Sequence, residues 1–406
     1  MIEKFKMIKT LKINANEFIY LILWFIYVVA YVFDKSLINI RLEYKAYELF
    51  ASCVLIFYFA LHNKTKLKKI LFVSLTLVLL FLAAIRINKL QYMLLFLFLI
   101  DSDLCKIDDI LKVSIVGILS SVMIVVFLSQ VGVVQDYIFM RDDFKQAHCL
   151  GFSYYYTVST MFLFAVIMYL YIKKNIRYIE LAAILFVGFT IYKFCTTRLP
   201  FYILIIAIAI YLLMCKYNLI RSIDNKFCKI VSLFLGPLFF VVSVAASILY
   251  NENNRCLVFL DKCLNGRLHL SNLAFKMYDV KFLGQSIEMV GNEYGKKGGE
   301  YFFIDSGYIL SILNYGIVFT LILLLLYSLI GYNACRRNDK KLFIWVIIVL
   351  LFNVVNGCWI ISIYNPILFI LLGNRYNQVK GNLNEKININ NHTGLQLRKL
   401  FKKMYR

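Results

Sequence analysis

Apolar runs of membrane-crossing length recur from one end of this 406-residue sequence to the other. A helix of about 20 apolar residues spans a hydrocarbon core of about 30 Å, and inside that core a helix is the open-chain element that satisfies its own backbone. Hydrophobic residues make up 61% of the chain and charged residues 17%, with a mean hydropathy of +0.73. A water-soluble domain with that composition would leave much of its apolar surface unburied. The expected fold is therefore all-α and polytopic, with about twelve spans. They fall near 17–33, 47–62, 70–86, 90–101, 112–133, 152–172, 179–196, 199–215, 229–250, 305–332, 342–359 and 361–373. The runs at 90–101 and 361–373 are short enough to be re-entrant pieces instead of full crossings.

Basic residues give the sidedness. Most of the 45 Lys and Arg residues fall in the termini and in alternate short connections: Lys64 to Lys69, Lys106 to Lys112, Lys173 to Arg177, Lys216 to Lys229 and Arg336 to Lys341. Cytoplasmic loops collect positive charge, so both termini are expected in the cytoplasm and the first run is expected to be an uncleaved anchor. The formal net charge of +22 follows from this placement and from attraction to anionic headgroups. It does not imply a nucleic-acid partner.

The organisation expected is one transmembrane domain over 1–373, interrupted by a large extracytoplasmic loop at 251–304, then a basic cytoplasmic tail at 374–406. Within the large loop, Leu270, Leu273, Met277 and Val280 recur at helical spacing against Ser271, Asn272, Lys276 and Asp279. That pattern predicts an amphipathic helix lying on the outer membrane surface. Ten scattered cysteines form no CxxC pair and read as packing residues. Cys256 and Cys263 share the large loop, so a disulfide between them is the open alternative.

The outer side gathers Arg141, Arg198, Arg255 and Arg267, with Lys193 one turn before Arg198. Each reads individually as a headgroup-bound arginine, and together they suggest a shared anionic ligand. In FCTTRLPFYI, Pro200 falls in the first turn of a helix beginning near Leu199, and Thr196 or Thr197 is placed to cap it. A helix start beside a guanidinium suits a phosphate. Acid or base candidates on that side are Asp305, Asp261, Glu252, His148 and His269. Asp305 also reads as a helix N-cap, and His269 as a surface residue. Tyr154, Tyr155 and Tyr156 read first as an aromatic belt, with sugar stacking as the alternative. Asn353 and Asn356 read as interhelical hydrogen-bonding groups. The acidic stretch DSDLCKIDD lies in a short connector on the opposite side. No metal or cofactor motif stands out.

One order of motifs carries a resemblance: RDDFKQAHCLGFSYYYT, then TTRLP, then NGRLHLSNLAF with FLG after it, then DSGYILSILNYGIVF. This order, over residues 140 to 330, resembles the Wzy-type polymerases of bacterial O-antigen and capsular polysaccharide. The resemblance implies an enzyme of the inner membrane acting on undecaprenyl-diphosphate-linked oligosaccharide. It would transfer the growing glycan from its lipid diphosphate to the next lipid-linked repeat unit at the outer face. Arg198, Arg267 and Arg141 match the family's basic positions and would bind the diphosphate. Asp305 or His269 would act as general base, and no cofactor would be needed. Membrane lipids and a chain-length regulator are the partners implied. An O-antigen ligase-like glycosyltransferase and a lipid-linked oligosaccharide flippase are the alternatives.

Overall fold

The computed structural model describes residues 15–38, 47, 50–56, 91–102, 105–140, 145–291 and 301–371. The expected span at 70–86, half of that at 47–62, the 374–406 tail and Arg141 lie outside the described residues. Among the described residues six helices are long and apolar enough to cross a membrane, so the chain is a helical multi-pass membrane protein. They are Asn16–Asp34, Ile107–Gln130, Tyr178–Cys195, Arg198–Lys216, Lys226–Ile248 and Gly307–Arg336.

In chain order the helices are α1 (Ala15–Asp34), α2 (Gln91–Asp101), α3 (Ile107–Gln130), α4 (Thr157–Ile172), α5 (Tyr178–Cys195), α6 (Arg198–Tyr211), α7 (Lys226–Ile248), α8 (Arg255–Cys263), α9 (Arg267–Met277), α10 (Gly307–Leu310), α11 (Gly316–Arg336) and α12 (Lys340–Phe352). A hairpin of β1 (Ile138–Met140) and β2 (Gln146–His148) pairs Phe139 with Ala147. α1 lies along α3, α4 packs on α3, α5 and α6, and α11 packs on α7 and α12. Large aromatic side chains such as Trp24, Phe98, Phe164, Tyr308 and Trp359 fill the interior.

Of the run at 90–101 the structure describes α2, Gln91–Asp101, and the residues just before it lie outside the described ones. The twelve-span expectation needs correcting at two places. The run at 342–359 forms the 13-residue α12 and then breaks into turns. The run at 361–373 is turns followed by a 3-10 helix, Pro366–Leu371. This irregular stretch persists among apolar helices because neighbouring side chains meet its polar groups. The Tyr327 hydroxyl donates to the Trp359 carbonyl at 3.0 Å, and Asn365 Nδ2 donates back to that hydroxyl at 2.6 Å. Trp345 Nε1 donates to Asn365 Oδ1 at 2.9 Å, and Trp359 Nε1 donates to Ser311 Oγ at 3.0 Å.

The two ends of the bundle are built differently. At one end, lysines tie helix termini together. Lys216 Nζ donates to the Ile176 carbonyl at 2.9 Å, Lys340 to that of Met214 at 3.2 Å, and Lys341 to that of Lys173. Asn338 Oδ1 accepts from the Ile223 amide at 2.9 Å. These are the connections that sequence assigned to one side of the membrane. The opposite end carries the hairpin, α8, α9 and the start of α10.

At that opposite end the large loop does not lie flat. α9 packs on α7, burying Leu268, Ser271, Asn272 and Ala274. Asn272 Nδ2 donates to the Ser247 carbonyl at 2.8 Å. Of the expected apolar face Leu270 and Leu273 are half-buried and Met277 exposed, Ser271 and Asn272 are the more buried pair, and α9 ends before Val280. A polar face turned inward gains here because Asn272 closes the exposed carbonyls at the end of α7. Cys256 and Cys263 are free and stand two turns apart on α8, about 10 Å by helical rise, too far for a disulfide.

The helix that follows the loop is broken. Its 30 residues exceed the roughly 20 that a crossing needs. The first nine form α10 and a π-turn, Ser311–Tyr315, before α11 restarts at Gly316. Residues 281–285 sit against the break. Ile317 and Val318 amides donate to the Lys281 and Phe282 carbonyls, and the Gln285 amide donates to that of Asn314 at 3.0 Å. The crossing requires glycine on both strands. Gly284 and Gly316 have φ of 81° and 88°, and a Cβ on Gly284 would lie 2.8 Å from the Tyr315 carbonyl carbon.

Candidate functional site

Three segments converge at the loop-bearing end: the tyrosine run before α4, the start of α9, and the residues before α10. Arg267 opens α9. Asp261 fixes that helix start by accepting the Leu268 and His269 amides on Oδ1 at 2.8 and 3.0 Å, while Gly266 takes a φ of 77°. Asp261 thus closes amides at the start of α9. Asn254 caps α8 in the same way.

Arg267 Nε donates to Asp305 Oδ2 at 3.1 Å, and its Nη1 donates to the Leu264 carbonyl at 3.3 Å. The two side chains are 18% and 20% exposed, so the pair is sheltered without being sealed. Ser306, not Asp305, occupies the N-cap position of α10, which corrects the N-cap reading of Asp305. Burial pushes the Asp305 carboxyl above its usual range, and the adjacent guanidinium offsets that only in part. Burial opposes the charge on Arg267, but Asp305 and the neighbouring phenols outweigh it and hold the guanidinium above its ordinary pKa.

Those phenols belong to Tyr154, Tyr155 and Tyr156, which interact electrostatically with Arg267. Tyr154 and Tyr155 rings meet at 4.6 Å, Tyr155 stacks on Phe139 of the hairpin at 5.4 Å, and Tyr156 stacks on Phe352 at 6.4 Å. Burial raises the Tyr154 and Tyr156 phenols well above the usual tyrosine value. Partial burial and the Asp305 carboxylate push Tyr301 up to about 12. Two buried hydroxyls at this place, Tyr156 Oη and Ser306 Oγ, make no hydrogen bond among the described residues. Buried polar groups are nearly always paired, so two unpaired ones beside a sheltered ion pair mark a place suited to a polar ligand.

Arg198 stands at the corner between α5 and α6, which Thr197 joins to α4. It is exposed at the first position of α6, with Pro200 in the same turn. The preceding threonines do not cap α6. Thr196 ends α5 in the left-handed region at φ 52°, and buried Thr197 bonds to Ser159 of α4 through its hydroxyl. Cross-helix anchoring therefore displaces the expected cap and holds the backbone beside Arg198 to the first turn of α4.

His269 is not brought to this pair. Two residues along a helix turn the side chain about 200°, so His269 leaves Arg267 behind, is exposed, and meets Tyr250 edge-on at 5.8 Å. His148 is held by Asp136, Nδ1 to Oδ2 at 2.6 Å, and its ring contacts Phe194 at 6.3 Å. Asp136 Oδ1 also accepts the Leu150 amide at 2.7 Å, so this pair locks the turn ahead of Gly151-Phe152. Asn353 is fully buried beside Gly307, whose amide donates to the Asn353 backbone carbonyl at 2.9 Å, while its side-chain amide makes no hydrogen bond among the described residues, so the interhelical bonding expected of that side chain is not seen.

Sequence reasoning placed Arg267 and Asp305 among its candidates but did not pair them, and it missed Ser306. The signal available for the pairing was the glycine in each of FLG and NYG. No protein-family model, curated protein or solved structure matches this chain.

Proposed function

We propose that the chain polymerises lipid-linked oligosaccharide repeat units for a surface polysaccharide at the outer face of the inner membrane, with both termini in the cytoplasm. The observation that carries this reading is the sheltered Arg267–Asp305 pair, bordered by three consecutive tyrosines and two unpaired buried hydroxyls at one end of an apolar helical bundle. Glycan recognition combines aromatic faces with hydroxyl partners, and a lipid diphosphate calls for guanidinium groups.

The reaction follows from competition for one cation. Arg267 turns from the Asp305 carboxylate toward the incoming diphosphate, and Arg198 adds a second contact. Asp305, having lost its counter-charge, becomes a stronger base and takes the proton of the acceptor hydroxyl. The acceptor oxygen then bonds to the anomeric carbon as the bond from that carbon to the phosphate oxygen breaks. The lipid diphosphate leaves with the electron pair, stabilised by the arginines.

The broken helix at Gly316 is a feature that a flippase for the same lipid-linked oligosaccharide would share. Deletion of the gene in its native host, followed by sizing of the surface glycan, separates the two. Single repeat units at the surface support polymerase; no units at the surface would establish the flippase instead.

A further inference from the structure

α3 and α5 pack on either side of α4 without packing extensively on each other. Between them a cavity of about 290 Å³ runs over α4, lined by Ile115 and Leu119 from α3, Ala165 and Tyr169 from α4, and Ala183 and Glu180 from α5. Its walls are almost wholly apolar along eight residues of α4, from Phe162 to Tyr169, a length of about 10 Å. The outward face of α5 is apolar too, with Ile179, Phe186, Val187 and Phe189 exposed, so the cavity lies within the lipid-facing belt.

One end of this cavity is polar. Tyr169 Oη donates to Glu180 Oε2 at 2.8 Å, and Lys173 Nζ meets both groups at 2.8 and 2.7 Å. Lys173 neutralises Glu180, which leaves exposed Lys174 and Arg177 in the connection just beyond as surplus positive charge. Lys216 is anchored in the same place, on the Ile176 carbonyl and over the Tyr178 ring at 4.9 Å. An apolar slot ending in uncompensated cations has the polarity of a lipid with an anionic head.

We propose that this groove holds an acyl chain of an anionic glycerophospholipid of the bilayer, with Lys174 and Arg177 meeting its phosphate. Lys173 is excluded from that role because Glu180 and Tyr169 already hold it. The site lies at the lysine-capped end of the bundle, away from the Arg267–Asp305 pair, and does not depend on the function proposed for that pair. Its chemistry is shape for one chain and charge for one head. Loss of either feature therefore weakens binding in a different way.

The test is native mass spectrometry of the full chain, purified in mild detergent and equilibrated with mixed vesicles of phosphatidylglycerol and phosphatidylcholine with matched chains. Wild-type protein is expected to retain the anionic lipid about tenfold over the zwitterionic one. Joint Lys174→Gln and Arg177→Gln substitution, at exposed positions, should abolish the preference while leaving weak retention of both lipids. Joint Ala165→Leu and Ala183→Leu substitution should reduce retention of both, provided that the thermal transition stays within a few degrees of wild type. Equal retention of the two lipids by wild type overturns the proposal. So does an unchanged preference in the charge variant, which alone decides the matter if the filled variant fails to fold. Displacement of phosphatidylglycerol by undecaprenyl phosphate at equal concentration would assign the groove to the isoprenoid lipid instead.

Discussion

The two ends of the bundle spend their charges differently. At the lysine-capped end, Lys216, Lys340 and Lys341 close helix-terminal carbonyls, a task in which the cation is one donor among several and water can substitute. At the other end, Arg267 and Asp305 are withdrawn from water, held by a helix cap and a backbone crossing, and bordered by phenols and unpaired hydroxyls. A fold gains little stability from placing an ion pair there, since desolvation offsets most of the attraction. On the proposed function the loop-bearing end carries the chemistry and the lysine-capped end the anchoring.

The largest effect should come from breaking what positions the pair. Gly316→Ala puts a side chain into the 281–285 crossing at a φ of 88°, adding conformational strain of about 1–2 kcal/mol to the collision with Phe282 and Lys281 carbonyls. We expect loss of a cooperative thermal transition, or activity reduced to background where folded protein is recovered. A transition and an activity both at wild-type level would show that the crossing does not set the site.

Asp305→Ala is expected next. It strands a sheltered guanidinium, at a cost of about 3 kcal/mol, and should lower the thermal midpoint measurably. The wild-type pH dependence has two signs. As a base, Asp305 must be ionised, so the rate falls as pH drops through its raised pKa, sooner than an ordinary carboxylate would require. Stability moves the other way. The folded state holds the proton more tightly than the unfolded chain, so stability is greatest below the unfolded pKa and declines as pH rises toward the folded one. Paired rate and melting profiles check both, and the variant should lack the stability decline.

Lys341→Gln sharpens the comparison from its weaker side. Its Nζ contacts carbonyls of Lys173 and Lys174, and loss of such water-accessible hydrogen bonds from a half-buried lysine costs about 1 kcal/mol. Melting should shift by a few degrees at most and glycan chain length should be unchanged. A large loss of chain length would show that the lysine-capped end takes part in chemistry.

How much of this was legible in the sequence differs between the same two ends. The clustering of Lys173, Lys216 and Lys340 needed only loop lengths and charge, because apolar helices return their ends alternately to two planes. The Arg267–Asp305 pairing depends on a crossing of residues 281–285 with 314–318, some thirty positions apart. Periodicity carries no record of such a contact. The Ser271 and Asn272 face of α9 misled for a related reason. A polar side chain that closes another helix's carbonyls is buried although its residue type reads as exposed. The short run at 361–373 was legible as an incomplete crossing by length, whereas the break at Gly316 left its trace only in Ser311, Asn314 and Gly316, which a hydropathy reading passes over.

The most direct measurement uses purified protein and an undecaprenyl-diphosphate-linked repeat unit, with product length read on a gel. Wild type, Arg267→Lys and Arg267→Gln are compared at equal folded concentration. Removing a preorganised charge that stabilises a leaving group costs about 10²–10³ in rate. The account predicts ladders of extended glycan from wild type, shortened ladders from Arg267→Lys, and only the input unit from Arg267→Gln. Wild-type ladders from folded Arg267→Gln would contradict it.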